Sequence, residues 1–259
     1  MARIPKPSGR RSRKTILVSY GVHLVYAEGK LTEPNYVKNI DEIIKRNHNF
    51  HNTNIIIKNV EHKGLSTIGL VEFAEEDVKK RLKAGEKIDH VWIFYDKDSF
   101  EQDDFDNAHF KIKNKNKSKY KNDDGDNTDK NLIRWHSLWS NECFEVWVLL
   151  HFEYLNTPLN RGGYIPKINK YFNEKGLEYT KNIDNLYSTL IENGDVNNAI
   201  QFAKKLEKEN KNNNPSTGVY QFIEYFKRYL GIEWILKILA PIIGVFYYYE
   251  TNHFIWLVC

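Results

Sequence analysis

The segment His90–Asp98 constrains the fold more than any other part of the chain. It reads HVWIFYDKD, an apolar and aromatic run that ends in two aspartates, Asp96 and Asp98. Such a run predicts a strand that is buried on both faces, as in a parallel sheet. Ligands of open α/β sheets bind beyond the carboxyl ends of the strands. Two carboxylates at that place predict a site for Mg²⁺ or Mn²⁺, and the alternative is an ordinary Asp-rich turn.

Further acids at an earlier strand end favour the metal site. Glu28 directly follows another predicted strand, and Glu33 opens the helix that comes next. If the two strands lie parallel in one sheet, these acids share a crevice with Asp96 and Asp98. Crowded carboxylates push one another toward protonation, and a divalent cation removes that penalty. We therefore expect a metal site and not two incidental turns.

Alternating strand and helix patterns define the fold class. Apolar periodicity and capping residues predict strands over 22–27, 54–60, 90–95 and 132–139, and helices over 34–47, 66–83, 104–113, 164–174, 184–192, 196–210 and 217–230. This alternation is typical of an α/β domain, a parallel sheet with helices on both faces, here with a helical C-terminal part. We expect a basic arm over 1–14, one domain over 15–230 and an apolar tail over 231–259.

One more helix carries two candidate functional residues. We expect Ser140 or Asn141 to cap a helix that runs to about Phe152. Glu145 then lies in the first turns, near the crevice, although the helix dipole alone also favours an acid there. His151 is a candidate general base or phosphate contact, and its alternative is a core histidine with satisfied hydrogen bonds.

Three blocks of sequence resemble one protein family. Residues 27–36 resemble the "EGxxTEPxYF" opening of the RloB family of bacterial defence proteins. Residues 139–153 are similar to its "WSNxCFExWxLLHF" signature, and residues 214–220 to its "NPSTxVy" element. The blocks occur in family order and together span roughly residues 20–229. The strand-end acids also resemble those of the Toprim fold, a metal-binding α/β module of topoisomerases, primases and nucleases.

The resemblance implies a function and a set of site residues. It implies a Toprim-like metal-dependent nuclease of a bacterial anti-phage defence system, with two Mg²⁺ or Mn²⁺ ions clamping the scissile phosphate. Glu28, Asp96 and Asp98 would hold the metal, with Glu33 and Glu145 as further candidates. The competing interpretation is a non-catalytic sensor that binds nucleic acid or a nucleotide. Family members resemble effectors that act beside an ABC- or AAA-type ATPase, and this chain has no G-x-x-x-x-G-K-[ST] motif of its own.

The charge pattern suggests nucleic acid, DNA or RNA, as the partner. Residues 1–14 carry cations and no acid. We expect Arg10, Arg11, Arg13 and Lys14 to contact phosphates, the alternative being a solvated tail. The lysines that alternate over 111–121, and the acidic residues after them, predict a solvated loop.

Compartment and assembly follow from the remaining features. The chain has 2 cysteines, which implies no disulfide framework, and it opens without a signal-peptide pattern. We expect a cytoplasmic protein. The apolar tail is interrupted by Glu233, Lys237 and Pro241, so we expect it to pack on the core or mediate homo-oligomer formation and not to enter a membrane.

Overall fold

The computed structural model describes residues 21–48, 55–59, 66–97, 102–116 and 133–231. The strands are β1 (His23–Ala27), β2 (Ile55–Asn59), β3 (His90–Asp96), β4 (Arg134–Asn141) and β5 (Ser216–Thr217). The helices are α1 (Thr32–His48), α2 (Thr67–Lys83), α3 (Gln102–Lys115), α4 (Glu145–Leu149), α5 (Arg161–Asn173), α6 (Leu186–Asn193), α7 (Val196–Asn210) and α8 (Tyr220–Phe226).

The strands form one sheet in the order β2-β1-β3-β4-β5. The first four are parallel, and β5 pairs antiparallel with the end of β4. Every residue of β1 and β3 is buried, as the continuous apolar runs predicted. The predicted α/β class with a mainly parallel sheet is confirmed.

Helices cover both faces of the sheet, and side-chain alternation separates two cores. On one face, Val25, Trp92 and Leu138 pack against α1 and the C-terminal helices. On the other face, Leu24 and Val91 pack against α2 and α3. The β-branched and aromatic strand residues therefore contribute to both cores in turn.

The chain changes direction between β1 and β3. Helix α1 carries the chain from β1 outward to β2 on one face, and α2 returns it to β3 on the opposite face. The carboxyl ends of β1 and β3 therefore flank a topological switch point, where open α/β sheets bind their ligands. Both predicted acidic strand ends, Glu28 and Asp96, lie there.

Two predicted helix starts are wrong. Ser140 and Asn141 belong to β4, where they pair with Thr217 and Ser216 of β5. The predicted helix to Phe152 shrinks to α4, and the last predicted helix begins only at Tyr220. These residues are typical helix caps, but pairing between segments far apart in sequence outweighs that local preference.

The lysines that alternate over 111–121 lie partly in a helix and partly outside the described residues. Lys111 and Lys113 lie in α3, as the predicted helix over 104–113 requires, and Lys115 continues this helix instead of the predicted loop, because one side of the helix packs Phe105 and Ile112 into the core. The rest of the run, Asp98, the arm 1–14 and the tail beyond Gly231 lie outside the described residues. Within the described ranges, no helix is long and apolar enough to cross a membrane.

Candidate active site

A cleft of about 230 Å³ opens at the switch point and gathers acidic side chains. Its acids are Glu28, Glu33, Asp96 and Glu145. They come from the ends of β1 and β3, from the first turn of α1 and from α4. Three parts of the chain, the β1–α1 region, the end of β3 and α4, thus deliver carboxylates to one place.

The sheet itself fixes Glu28 and Asp96 next to each other. Ala27 of β1 pairs with Phe94 of β3, and the Glu28 backbone N–H donates to the Phe94 carbonyl at 3.0 Å. The Glu28 side chain then turns back, so that its Oε2 accepts a hydrogen bond from the Asp96 backbone N–H at 3.3 Å. Their relative position therefore depends on strand register and not on a mobile loop.

Gly29 makes room for the carboxylate of Glu33. A Cβ atom at position 29 would lie 2.1 Å from Glu33 Oε2 and 2.7 Å from Glu33 Cδ. Glu33 is only 5% exposed, so its carboxylate cannot simply swing into solvent. The glycine is needed here for close approach, which puts Glu33 against the turn that follows β1.

Glu145 is the acid with identified partners from the C-terminal part. Its Oε1 accepts a hydrogen bond from the Tyr179 hydroxyl at 3.2 Å and lies 3.4 Å from Lys181 Nζ. The Lys181 carbonyl in turn accepts a hydrogen bond from Thr32 Oγ1 at 3.3 Å. The segment between α5 and α6 is thereby fastened across the cleft to α1.

The buried acids repel one another. Burial raises the pKa of Asp96 well above its ordinary value, and the charges of Glu33, Glu145 and Glu28 raise it further. Burial likewise raises the pKa of Glu33, with Glu145 adding to the rise and Lys181 and Arg161 opposing it. This pattern, desolvation together with like charges, is typical of functional sites.

Basic side chains also line the cleft, beside the acids. Lys30, Arg161 and Lys181 lie along it, and the field of Arg161 lowers the pKa values of both Asp96 and Glu33. Carboxylates and cations side by side suit a ligand that carries both a metal ion and an anionic group. A phosphate with its counter-cation has that composition.

The oxygen ligands that line the cleft fit a divalent metal. Carboxylate oxygens are the ligands that Mg²⁺ and Mn²⁺ prefer, and a cation would relieve the repulsion that raises the pKa values. Among the described residues, however, no three acidic, histidine or cysteine side chains already form a metal-binding group.

The remaining predicted residues have different surroundings. His151 is 2% exposed and does not line the cleft. Its Nδ1 bonds the Trp147 carbonyl at 2.9 Å, and burial lowers its pKa to about 4. This is the environment of a core histidine. Asp98 lies outside the described residues, and Lys97 is absent from the cleft lining.

Arg161, Tyr179 and Lys181 were not identified from the sequence. They follow no motif: Arg161 and Lys181 line the cleft, and Tyr179 lies next to it through its hydrogen bond to Glu145. Cys143, also near the acids, stays protonated, since burial and the charges of Glu145 and Asp96 raise the pKa of its thiol.

Comparison with known proteins identifies the family. No curated protein and no solved structure matches the chain. The model of the RloB-like protein family matches residues 23–226, a range that contains β1 to α8 and every acid of the cleft. The chain therefore belongs to the RloB-like protein family.

Proposed function

We propose that this protein is a divalent-metal-dependent nuclease of a bacterial anti-phage defence system, which hydrolyses phosphodiester bonds in DNA or RNA. The observation that carries the proposal is the convergence of Glu28, Glu33, Asp96 and Glu145 at the switch point. Buried acids that raise one another's pKa destabilise the fold unless a ligand balances them. The position of these four acids at a ligand-binding place of the sheet supports a bound cation.

Glu28, Glu33 and Asp96 would hold Mg²⁺ or Mn²⁺. Such an ion supplies Lewis acidity toward a phosphoryl oxygen and lowers the pKa of a water molecule bound to it. Glu28 and Asp96 lie at strand ends that pairing holds in place, and Glu33 lies in the first turn of α1. Glu145 has a different role from these three acids, since its carboxylate already contacts Tyr179 and Lys181.

Lys181 and Arg161 would bind the phosphate. Lys181 keeps 37% of its side chain exposed while it contacts Glu145, so its ammonium group faces both the acids and the open cleft. A phosphodiester that enters can accept hydrogen bonds from it without breaking the contact with Glu145. Arg161 is exposed at the start of α5, and its planar guanidinium suits two phosphate oxygens at once.

A metal-dependent cleavage assay on the full chain tests the proposal. We expect Mn²⁺ or Mg²⁺ to support cleavage of single- or double-stranded substrates, and Asp96→Asn and Glu28→Gln to reduce the rate by roughly 100-fold or more. Asp103→Asn, an exposed acid in α3, is the matched control and should cleave like wild type. Equal rates for all variants would remove the cleft from the mechanism.

The second candidate function is a non-catalytic sensor that works with a partner ATPase. The ion pair between Glu145 and Lys181 favours it, because an internal cation already balances part of the acidic charge. A sensor would bind metal and nucleic acid through the same residues but never cleave. Wild-type protein that binds Mn²⁺ with an unbroken substrate, even when its ATPase partner and ATP are present, would decide for the sensor.

A further inference from the structure

The outer edge of β4 borders a second cavity of about 590 Å³, which shares no lining residue with the acidic cleft. It lies between α3 on one face of the sheet and α7 and α8 on the other. Its lining includes Ser137 at the sheet edge, His109 and Lys113 from α3, and Gln221 from α8. A cavity of this size falls in the range of small-molecule sites, roughly 300–1,000 Å³.

The direction of the backbone turns the N–H and C=O of one β4 residue, Ser137, toward this cavity. Arg134 N–H donates to the Asp89 carbonyl, and the Ser140 carbonyl accepts from Lys97 N–H, so the even-numbered residues of β4 bond to the β3 side. The odd-numbered residues Trp135, Ser137 and Trp139 face outward. Among the described residues, no donor or acceptor is bonded to the backbone N–H and C=O of Ser137.

The neighbouring outward peptide units show which chemistry satisfies such an edge. Asn116 pairs with Trp135 through both ends of its side-chain amide. Its Nδ2 donates to the Trp135 carbonyl at 2.7 Å, and its Oδ1 accepts from the Trp135 N–H at 2.9 Å. One planar group with an adjacent donor and acceptor therefore fits one outward-facing residue of β4.

Strand addition is a poor explanation of the open unit. Asn116 already occupies Trp135, and the Trp139 carbonyl accepts from Gly218 N–H at 2.8 Å. An added peptide strand needs several consecutive outward units, since its main-chain hydrogen bonds provide the affinity. Among the described residues, Ser137 is the outward residue of β4 next to the cavity whose N–H and C=O both lack a partner, which favours a compact planar ligand.

We propose that this cavity binds a nucleobase, whose amide-like edge pairs with the backbone of Ser137. Every nucleobase carries an adjacent donor and acceptor, and proteins bind unpaired bases through such edges together with aromatic contacts. The His109 ring forms one wall of the cavity and stands edge-on to Trp139 with ring centroids 5.1 Å apart.

The rim of the cavity supplies charge for a phosphate. Lys113 and Arg134 line it and are exposed. Glu207, the acid in the lining, accepts a hydrogen bond from the Tyr220 hydroxyl at 2.7 Å. Half-buried His109 has a lowered pKa, mainly through desolvation, so its ring is a neutral wall at neutral pH. A base in the cavity with its phosphate at the rim matches this distribution.

Calorimetric titration of the full chain with AMP, CMP and a dodecamer of deoxythymidine, all in EDTA, tests the proposal. Chelation removes metal ions from the acidic cleft, and a variant at Ser137 leaves its basic residues unchanged, so a loss of binding in that variant is independent of the nuclease proposal. Ser137→Pro removes the outward N–H of Ser137, at a position where a strand tolerates proline. We expect it to weaken binding at least 10-fold, whereas Asn107→Ala, at an exposed position of α3 outside the cavity lining, binds like wild type.

A second variant covers the case in which the proline variant fails to fold. Gln221→Trp fills the cavity from α8 and should also weaken binding at least 10-fold while the melting temperature stays near that of wild type. The proposal is overturned if no nucleotide or oligonucleotide binds, if folded variants bind like wild type, or if ribose 5-phosphate binds as tightly as AMP.

Two controls identify the source of the base. A dodecamer that binds at least 10-fold more tightly than the mononucleotides, and loses this advantage when one residue is abasic, indicates a base flipped out of single-stranded nucleic acid. Mononucleotides that bind as tightly as the dodecamer indicate a free nucleotide. Either result supports a base-binding cavity.

Discussion

The two ends of one sheet face both bury ionisable side chains, and they accommodate them in opposite ways. At the carboxyl ends of β1 and β3, Asp96 and Glu33 repel one another in the cleft. At the amino ends of the same strands and of β4 lie three histidines, His23, His90 and His136. Both clusters are on the face that α1 and α8 cover.

The histidine cluster satisfies its own hydrogen bonds. Trp92 Nε1 donates to His23 Nδ1 at 3.1 Å, and His90 Nδ1 lies 3.0 Å from His136 Nε2. The Tyr225 hydroxyl lies 3.0 Å from His90 Nε2. Trp92 also stacks on His136 with ring centroids 3.6 Å apart. Burial is the main cause that lowers the pKa of His90 to about 4 and that of His136 to about 3.

The difference shows how to separate structural from functional buried groups. Neutral imidazoles can donate to and accept from one another, so the amino end needs no ligand to be stable. Ionised carboxylates only accept hydrogen bonds, so crowding them is unfavourable whatever their rotamers. The first cluster is therefore explained by packing, whereas the second is explained by something that binds there.

The largest expected effect is a loss of stability at the amino end. Trp92→Ala removes the ring that His136 stacks on and the donor to His23, and should lower the free energy of unfolding by about 3–5 kcal/mol. Urea unfolding in EDTA measures it. Trp92→Phe keeps an aromatic ring and should lose much less. A cost below about 1 kcal/mol for the alanine variant would mean that the cluster contributes little to the fold.

Asp96→Asn should have the opposite effect on stability. It removes a buried charge that three neighbouring acids repel, so the melting temperature in EDTA at pH 7.5 should rise. Mn²⁺ affinity should fall roughly 100-fold, because a metal ligand is lost. Thermal unfolding with and without Mn²⁺ measures both. If the variant melts below wild type, as Trp92→Ala should, Asp96 is a structural residue and the contrast between the two ends fails.

Gly29→Ala tests how closely the cleft is built. The new Cβ would overlap the Glu33 carboxylate, so this acid must move away, and we expect about 10-fold weaker Mn²⁺ binding with a small change in stability. Gly162→Ala is the control, because its new Cβ would lie 3.7 Å from Asn160 Oδ1, an ordinary van der Waals distance. Calorimetric titration with Mn²⁺ compares them. Unchanged affinity for Gly29→Ala would remove Glu33 from the metal site.

The sequence predicted the acidic end far better than the histidine end. A run that is apolar on both faces predicts a parallel strand, and parallel strands bring their carboxyl ends to one edge, so Glu28 and Asp96 could be paired without a structure. Nothing in the spacing of His23, His90 and His136 indicates that they touch. Their contact depends on the order of β1, β3 and β4, which strand patterns alone do not give.

Other errors have the same origin. Ser140 and Asn141 looked like helix caps, but they continue β4 because Thr217 and Ser216 pair with them. Lys181 and Tyr179 reach Glu145 from a segment without regular structure, so no periodic pattern could place them. Local sequence patterns therefore located the strand ends. The position of Lys181 depends instead on its contacts with Glu145 and Thr32, which are distant from it in sequence.

The smallest effect, and the most discriminating, is the pH dependence of stability. Asp96 has a folded pKa above its ordinary 3.8, so between these values the folded state holds more protons and stability falls as pH rises. His90 and His136 have folded pKa values of about 4 and about 3, below the ordinary 6.5. There the unfolded state holds more protons, so their contribution is complete above pH 6.5 and is lost as pH falls toward 4 and then 3.

Urea unfolding in EDTA from pH 4 to 8 measures both effects. The free energy of unfolding of Asp96→Asn should rise relative to wild type as pH rises, whereas His136→Gln should flatten the acid side of the profile. Parallel profiles for wild type and Asp96→Asn would mean that this carboxylate is not strained in the folded protein, and the main support for a cation in the cleft would be lost.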